Sequence, residues 1–294
     1  MNSLLPLGNP LTPADLVLSP ADLKTLRGNF QSQNFSGYLT WGTRPGRRAY
    51  AFWANGEFLR CFEDRQGELW VQRWEDLIQA CSDQAASYYL PAAMVRVLSA
   101  AFAMERESRR LGAGQARELV ASLESDKAQA VARFSCNGEQ RAVIWENGVA
   151  LQVRLATQIG EVVCAKASLL KLWESLEGGG EVECFRGQRA ELDAKVERLE
   201  REMAQRTPVV PKSVSGFFAS KDTAKFDADI LKGWNLGGKG VPSLVVEDLE
   251  GRPIATIKAT TAAGKGESLE VPAKILATWN LGASDKVLIR PLCE

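Results

Sequence analysis

No histidine occurs anywhere in the 294 residues. That absence removes the usual general base, the usual metal ligand, and every Ser-His or Cys-His nucleophile. Any catalysis would have to rest on carboxylates, Lys, Tyr or Cys. No two of the six cysteines, Cys61, Cys81, Cys136, Cys164, Cys184 and Cys293, form a C-x-x-C pair. Without histidine to complete a zinc site they read as buried, reduced thiols of a reducing compartment. No Gly-rich loop runs into Lys-Ser or Lys-Thr; Gly178-Gly179-Gly180 precedes a strand-like run and reads as a turn. No metal or cofactor is therefore expected.

Net charge is missing too, because 36 basic and 36 acidic side chains cancel. No global field draws the chain to nucleic acid or to an anionic membrane. Apolar runs fall short of the roughly 20 residues that cross a bilayer, and Met1 to Pro10 carries no cationic leader. The expectation is a cytoplasmic protein without membrane insertion. With 45% hydrophobic and 24% charged residues, the chain can bury a sizeable core and divide into several domains.

Two internal duplications are present. Trp53-Ala54-Asn55-Gly56 and Trp145-Glu146-Asn147-Gly148 each lie between apolar runs, and Asn-Gly in that setting is the strongest short hairpin signal, since both residues tolerate positive φ. A strand precedes each hairpin (Phe35 to Trp41; Ala130 to Cys136) and another follows (Gly67 to Gln72; Gly160 to Ala165). Then comes a helix, with Trp74, Leu77, Ile78 and Cys81 matching Leu169, Leu172, Trp173 and Leu176 at i, i+3, i+4, i+7. A last strand (Ala86 to Leu90; Glu181 to Arg186) and a further helix close each unit. Two-residue loops would pair Phe52 with Leu59 and Tyr50 with Cys61, and likewise Ile144 with Leu151 and Ala142 with Val153, on an apolar core face. The opposite, mixed face carries Trp53 with Phe58, and Trp145. An aromatic there either anchors a partner protein or lies under a helix of its own unit, and the second reading is favoured. Ala49 to Asp64 resembles the strand-Asn-Gly-strand core of PATAN-type domains of bacterial signalling and motility adaptors, a resemblance that implies protein binding and transfers no residue role.

Ser19-Pro20-Ala21-Asp22 starts a helix expected to end near Gly28. Leu192, Val196, Leu199 and Met203 form a short 4-3-4 seam among charged residues. About two heptads are too few to hold a dimer, so a helix docked on its own domain, and with it a monomer, is favoured over a homodimer zipper. Thr207 to Pro211 reads as a boundary.

The second duplication is Ala228 to Gly237 against Ala273 to Gly282, identical at seven of ten positions. Each copy reads as a short helix stopped by Gly. Strands precede it (Ser213 to Ser220 and Ala224 to Asp227; Pro253 to Thr260 and Ser268 to Val271) and one follows (Ser243 to Glu247; Lys286 to Pro291). This β-β-α-β order, with Val271 to Leu276 opening a helix and Leu281 to Val287 entering a strand, resembles the cradle-loop barrels, the double-psi and AbrB-like folds. The family's Gly-Asp turn stands here as Ser284-Asp285, while the first copy has Gly240-Val241-Pro242. Two halves in one chain suit a complete six-stranded double-psi barrel.

The expected fold is thus α+β. A helical segment (1–33) leads two tandem antiparallel-sheet-plus-helix units (34–112 and 113–206) and a double-psi-like barrel with internal pseudo-twofold repeat (207–294). The AbrB-like resemblance implies a DNA-binding alternative, with Lys221, Lys225, Lys258 and Lys265 on phosphates. From Lys212 onward, however, 11 basic residues meet 10 acidic ones, a net of 11 − 10 = +1. The expected function is therefore non-enzymatic: an adaptor or regulator that binds other proteins through strand edges or aromatic patches.

Overall fold

A computed structural model describes residues 9–12, 16–81, 84–112, 114–136, 139–153, 179–215, 222–236, 243–282 and 284–292. The chain divides into two compact units, 1–199 and 200–294.

The first unit holds two antiparallel sheets. One comprises β1 (Asn9–Pro10), β2 (Gly37–Arg44), β3 (Arg47–Ala54), β4 (Glu57–Arg65), β5 (Glu68–Gln72) and β6 (Ala85–Tyr89), in the order β1-β6-β2-β3-β4-β5. The other comprises β7 (Glu105–Leu111), β8 (Gln129–Cys136), β9 (Glu139–Glu146), β10 (Val149–Val153) and β11 (Gly180–Gly187), in the order β10-β9-β8-β11-β7. Helices intervene: α1 (Pro20–Ser32), α2 (Trp74–Gln79), α3 (Ala92–Leu98), α4 (Gln115–Ser125) and α5 (Arg189–Gln205).

The repeat is longer than the hairpin motif suggests. Strand β7 and helix α4 stand to the second sheet as β1 and α1 stand to the first, so each repeat opens with an edge strand and an outer helix. Glu105 to Leu111, placed by the sequence reading at the end of the first unit, belongs to the second sheet, where it pairs with β11. The inner faces of both sheets pack on α3, whose Met94, Val95, Val97 and Leu98 are buried while Arg96 stays exposed beside Glu57. Tyr38, Tyr50, Phe52 and Phe62 share that core with Val131, Ile144 and Phe185, and Leu192 and Val196 of α5 complete it.

Both Asn-Gly pairs close two-residue turns with positive φ at each position (Asn55 53°, Gly56 79°; Asn147 51°, Gly148 78°). In the second hairpin, Ile144 pairs with Leu151 and Ala142 with Val153, as the turn type demands. The first hairpin differs. A bulge falls between Phe52 and Trp53, so Phe52 faces Arg60, Tyr50 faces Phe62, and Cys61 moves to the outer face opposite Ala51. A bulge inserts one residue, here Leu59, and flips everything beyond it. The flip costs nothing in burial, since helices cover the outer face as well.

Helix α1 begins as expected, with a reciprocal Ser19–Asp22 capping box and Pro20 in its first turn, but it runs through Gly28 to Ser32. Phe30 in its last turn stacks on Phe35 at 4.2 Å, and that burial outweighs the entropic cost of a mid-helix glycine. The second-unit strand at Gly160 to Ala165 and helix at Leu169 to Leu176 lie outside the described residues.

The second unit is a closed barrel of β12 (Thr207–Val214), β13 (Thr223–Asp227), β14 (Ser243–Glu247), β15 (Pro253–Ala262), β16 (Ser268–Pro272) and β17 (Val287–Pro291), in the order β12-β16-β13-β15-β14-β17. Two pairs, β12 with β16 and β13 with β15, are parallel. Exchanging β12 with β15, β13 with β16 and β14 with β17 returns the same cyclic order, so both halves build one barrel, as the double-psi-like expectation requires. Helix α6 (Ala228–Gly233) and helix α7 (Ala273–Leu276) fill equivalent positions, and Trp234 and Trp279 are buried in the barrel core. After each helix the left-handed position falls on asparagine, Asn235 (φ 47°) and Asn280 (φ 51°), the side chain that best tolerates that region after glycine; the expected stop at Gly237 lies outside the described residues. Thr207 to Pro211, read as a boundary, does follow the end of α5 at Gln205, and it forms the start of β12, because proline's fixed φ suits extended backbone. Residues 216–221 and 237–242, which include part of the expected first strand and Gly240-Val241-Pro242, lie outside the described residues. Among the described residues no helix is long and apolar enough to cross a membrane.

Candidate functional site

The aromatics proposed as partner anchors are not free. Trp53 and Trp145 are fully buried. Trp53 meets Phe30, Phe58 and Trp74 edge to face at 5.0, 5.3 and 5.8 Å, beneath α1 and α2. Phe58 is half-buried in the same cluster, with the Arg27 guanidinium 4.4 Å above its ring. Trp145 lies under α4 with Leu119 and Leu123. The seam of α5 is likewise committed: Leu192 and Val196 are buried in the inner core, Leu199 packs half-buried against it, and Met203 is half-buried in the second unit.

Acids lie beside the barrel lysines. Lys258 approaches Asp222 at 3.6 Å, Lys265 donates to Glu270 at 2.6 Å, and Lys225 sits opposite Glu270 in the sheet. Lys221 lies outside the described residues. Together these lysines do not form an unneutralised cationic stripe. A 230 Å³ cleft near the start of β7 gathers Glu105, Asp126 and Glu191 with Arg186 and Lys195, both signs in one wide mouth. Among the described residues no three Cys, Asp or Glu side chains converge as metal ligands would.

What stands open is β7 itself, which the sequence reading missed. Its residues, Glu105-Arg106-Glu107-Ser108-Arg109-Arg110-Leu111, pair with β11 from Glu105 opposite Arg186 to Leu111 opposite Gly180. Among the described residues no strand pairs on its other side. A Cβ on Gly179 would lie 2.9 Å from the carbonyl oxygen of Leu111, so Leu111 turns its backbone toward β11. By the two-residue alternation of an antiparallel strand, Glu105, Glu107 and Arg109 do the same, while Arg106, Ser108 and Arg110 turn N–H and C=O outward. The first sheet treats the equivalent edge differently. There β1 is two residues long and ends in Pro10, the Leu11 N–H donates to Ser87 O, Thr12 Oγ1 accepts from the Ser87 N–H, and Leu16 O accepts from Ala85. Short strands and proline are standard means of blunting an edge.

A buried charge network fixes β7 in place. Arg106 bonds Glu183 Oε1 at 2.8 Å and donates to Gly67 O at 2.7 Å, while Arg133 holds Glu183 Oε2 at 2.8 Å. Asp64, buried on the inner face of β4, accepts the Gly67 N–H at 2.6 Å. Burial raises its carboxyl above the ordinary value, against the Gly67 N–H and the Arg106 and Arg133 charges, which pull it down. A raised folded-state value means that protonated Asp64 favours the fold, and this stability is lost as pH rises through that value. We therefore expect Asp64→Asn to keep the Gly67 bond and to gain on the wild type as pH rises above the ordinary carboxylate range in urea melts. A gap that widens in the wild type's favour would show that the arginines outweigh burial.

Neither a family model nor a curated protein matches the chain. Two solved structures are similar to part of it: the crystal structures of the computationally designed msDPBB_sym2 protein, at 12% identity, and of the rationally designed apDPBB_sym_79 protein, at 11%. Each match covers 30% of this chain and 99% of the designed one, with a TM-score of 0.25. The description of the barrel rests on its own strand order and register.

Proposed function

We propose that this chain is a non-enzymatic protein-interaction protein that takes up an extended strand on the open edge of β7. The observation that carries the reading is the contrast between repeats: the first edge is blunted by a two-residue strand and Pro10, and the second offers seven regular residues with outward backbone groups. Strand addition gives affinity through main-chain hydrogen bonds and leaves specificity to flanking side chains. The PATAN-type resemblance points the same way. The DNA-binding alternative ranks lower because acids lie beside Lys258 and Lys265.

The test uses Ser108→Pro, which deletes an outward N–H while leaving the β11 ladder intact, as edge strands permit. Immobilised wild type should retain a protein from cytoplasmic extract that the variant loses, with unchanged thermal unfolding. Equal retention by both, with self-association of the chain likewise unchanged by Ser108→Pro, would sink the reading. Submicromolar, salt-sensitive binding to duplex DNA, lost on changing Lys258 and Lys265 to Glu, would replace it.

A further inference from the structure

We infer that the strand added to β7 is β7 of a second copy of this chain, paired antiparallel about a twofold axis through Ser108. The inference rests on the strand-addition reading and names the partner.

The register follows from backbone and charge together. Only residues that both turn their N–H and C=O outward can form hydrogen-bonded pairs across the new seam, and those are Arg106, Ser108 and Arg110 on each copy. Even residues must therefore face even ones, which leaves three registers with substantial overlap, centred on Glu107, Ser108 or Arg109. Centring on Glu107 also sets Glu105 opposite Arg109, twice, but it places two carboxylates against each other on the axis and leaves Arg110 and Leu111 of each copy without a partner in β7. Centring on Arg109 opposes two guanidinium groups and gains no opposite-charge pair. Centring on Ser108 aligns all seven residues and sets Glu107 opposite Arg109 of the other copy, twice, with a neutral hydroxyl on the axis. Its one adverse feature is Arg106 opposite Arg110. Each of those already holds its own carboxylate on β11, Glu183 at 2.8 Å and Glu181 at 3.3 Å, so their charges are compensated within each copy.

The same pattern discriminates against other strands. Alternating Glu and Arg repels an apolar edge, which is how edges are usually protected, yet an E-x-R sequence read antiparallel is complementary to itself. An isologous contact of this kind closes after two copies and joins the two five-stranded sheets into one. The α5 seam has no part in it, since Leu192 and Val196 are buried in their own core.

The experiment measures mass by sedimentation and light scattering on the full chain across micromolar concentrations. Wild type should dimerise. Arg109→Glu turns both opposite-charge pairs into repulsive ones and should weaken the dimer about tenfold, whereas the swap Glu107→Arg with Arg109→Glu restores complementarity and should recover it. Arg109 and Glu107 are solvent-accessible and meet within one copy at 3.1 Å, an exposed pair worth little to the fold, so melting temperature should hold nearly unchanged and exclude misfolding as the cause. Ser108→Cys, with Cα atoms about 5.5 Å apart across the axis, should crosslink on mild oxidation where wild type does not. A monomer at every concentration, or a dimer indifferent to Arg109→Glu, overturns the inference. If the monomeric chain still captures another protein that Ser108→Pro loses, strand addition stands and only the identity of the partner is wrong; if Ser108→Pro loses nothing, both fall.

Discussion

Gly148→Ala is expected to destabilise the first unit by about 3 kcal/mol, and Gly56→Ala by a similar amount. Each glycine is the second residue of its Asn-Gly turn, at φ 78° and 79°, where an L side chain is strained. Space adds a second penalty. A Cβ at Gly148 would lie 2.7 Å from Glu124 O and 3.1 Å from Lys127 Cα, and one at Gly56 would lie 2.7 Å from Gln31 O and 3.1 Å from Asn34 Cα. The obstacles are backbone at the end of α4 and of α1, which cannot swing aside as a long side chain can. Both turns are also tied down: Gly56 N–H donates to Phe35 O and Gly148 N–H to Ala128 O, while Asn55 bonds Ser36 and Asn147 accepts from Gln129. So each hairpin tip is locked beneath its repeat's outer helix. Gly28→Ala is the control. Gly28 sits inside α1 with nothing within 4 Å of an added Cβ, so that change should stabilise by roughly 0.5–1 kcal/mol. Chemical denaturation of the three variants checks sign and rank; a Gly148→Ala protein as stable as wild type would show that the turn is free to move.

The turns were legible in the sequence because their chemistry is local. Asn-Gly, Ser19-Pro20 and the repeated Trp-Asn-Leu-Gly are decided by residues a few positions apart, and the structure places them in turns, a cap and helix ends. The bulge at Leu59, opposite the step from Phe52 to Trp53, has no such signature, since it depends on how Phe58 packs against Trp53 and Trp74. Strand β7 was missed for another reason. Apolar alternation reveals a strand only when one face meets the core, and β7 buries Leu111 alone, holding its place through backbone pairing and Arg106. For the neighbouring pair β8 and β11 the sequence did carry a signal. Arg133 and Glu183 stand at inward positions of strands whose other inward residues, Val131 and Phe185, are apolar. Two opposite charges buried on one face announce a pair, and such a pair places the strands that carry it side by side. The PATAN-type resemblance stopped at the hairpin and so could not indicate the edge strand and outer helix that complete each repeat.

The barrel carries its own long-range pair, and it gives the second large effect. Glu247→Ala should cost the barrel about 3 kcal/mol, the lower end of the range for breaking a buried ion pair. Glu247 closes β14 and is almost wholly buried. Arg206 Nε holds its Oε2 at 2.7 Å and Arg290 Nε holds its Oε1 at 2.8 Å, so two guanidinium groups converge on one carboxylate. Removing it leaves two cations facing each other, of which Arg290 keeps Glu202, at 3.6 Å. Both arginines keep some access to water, which limits the loss to the lower figure. A contrast within the same unit separates burial from mere pairing: Lys232 and Asp229 lie 2.6 Å apart but are 77% and 79% exposed, so Asp229→Ala should change little, and the helix cap survives it because Asp227 accepts from the Asp229 backbone N–H. The pair tested by Glu247 joins β14 to β17 and to the start of β12, strands drawn from both halves of the duplicated sequence. If the halves fold as one cooperative barrel, Glu247→Ala lowers a single unfolding transition of the barrel. Two resolved barrel transitions, only one of them shifted, would mean that the closed strand order does not act as one folding unit.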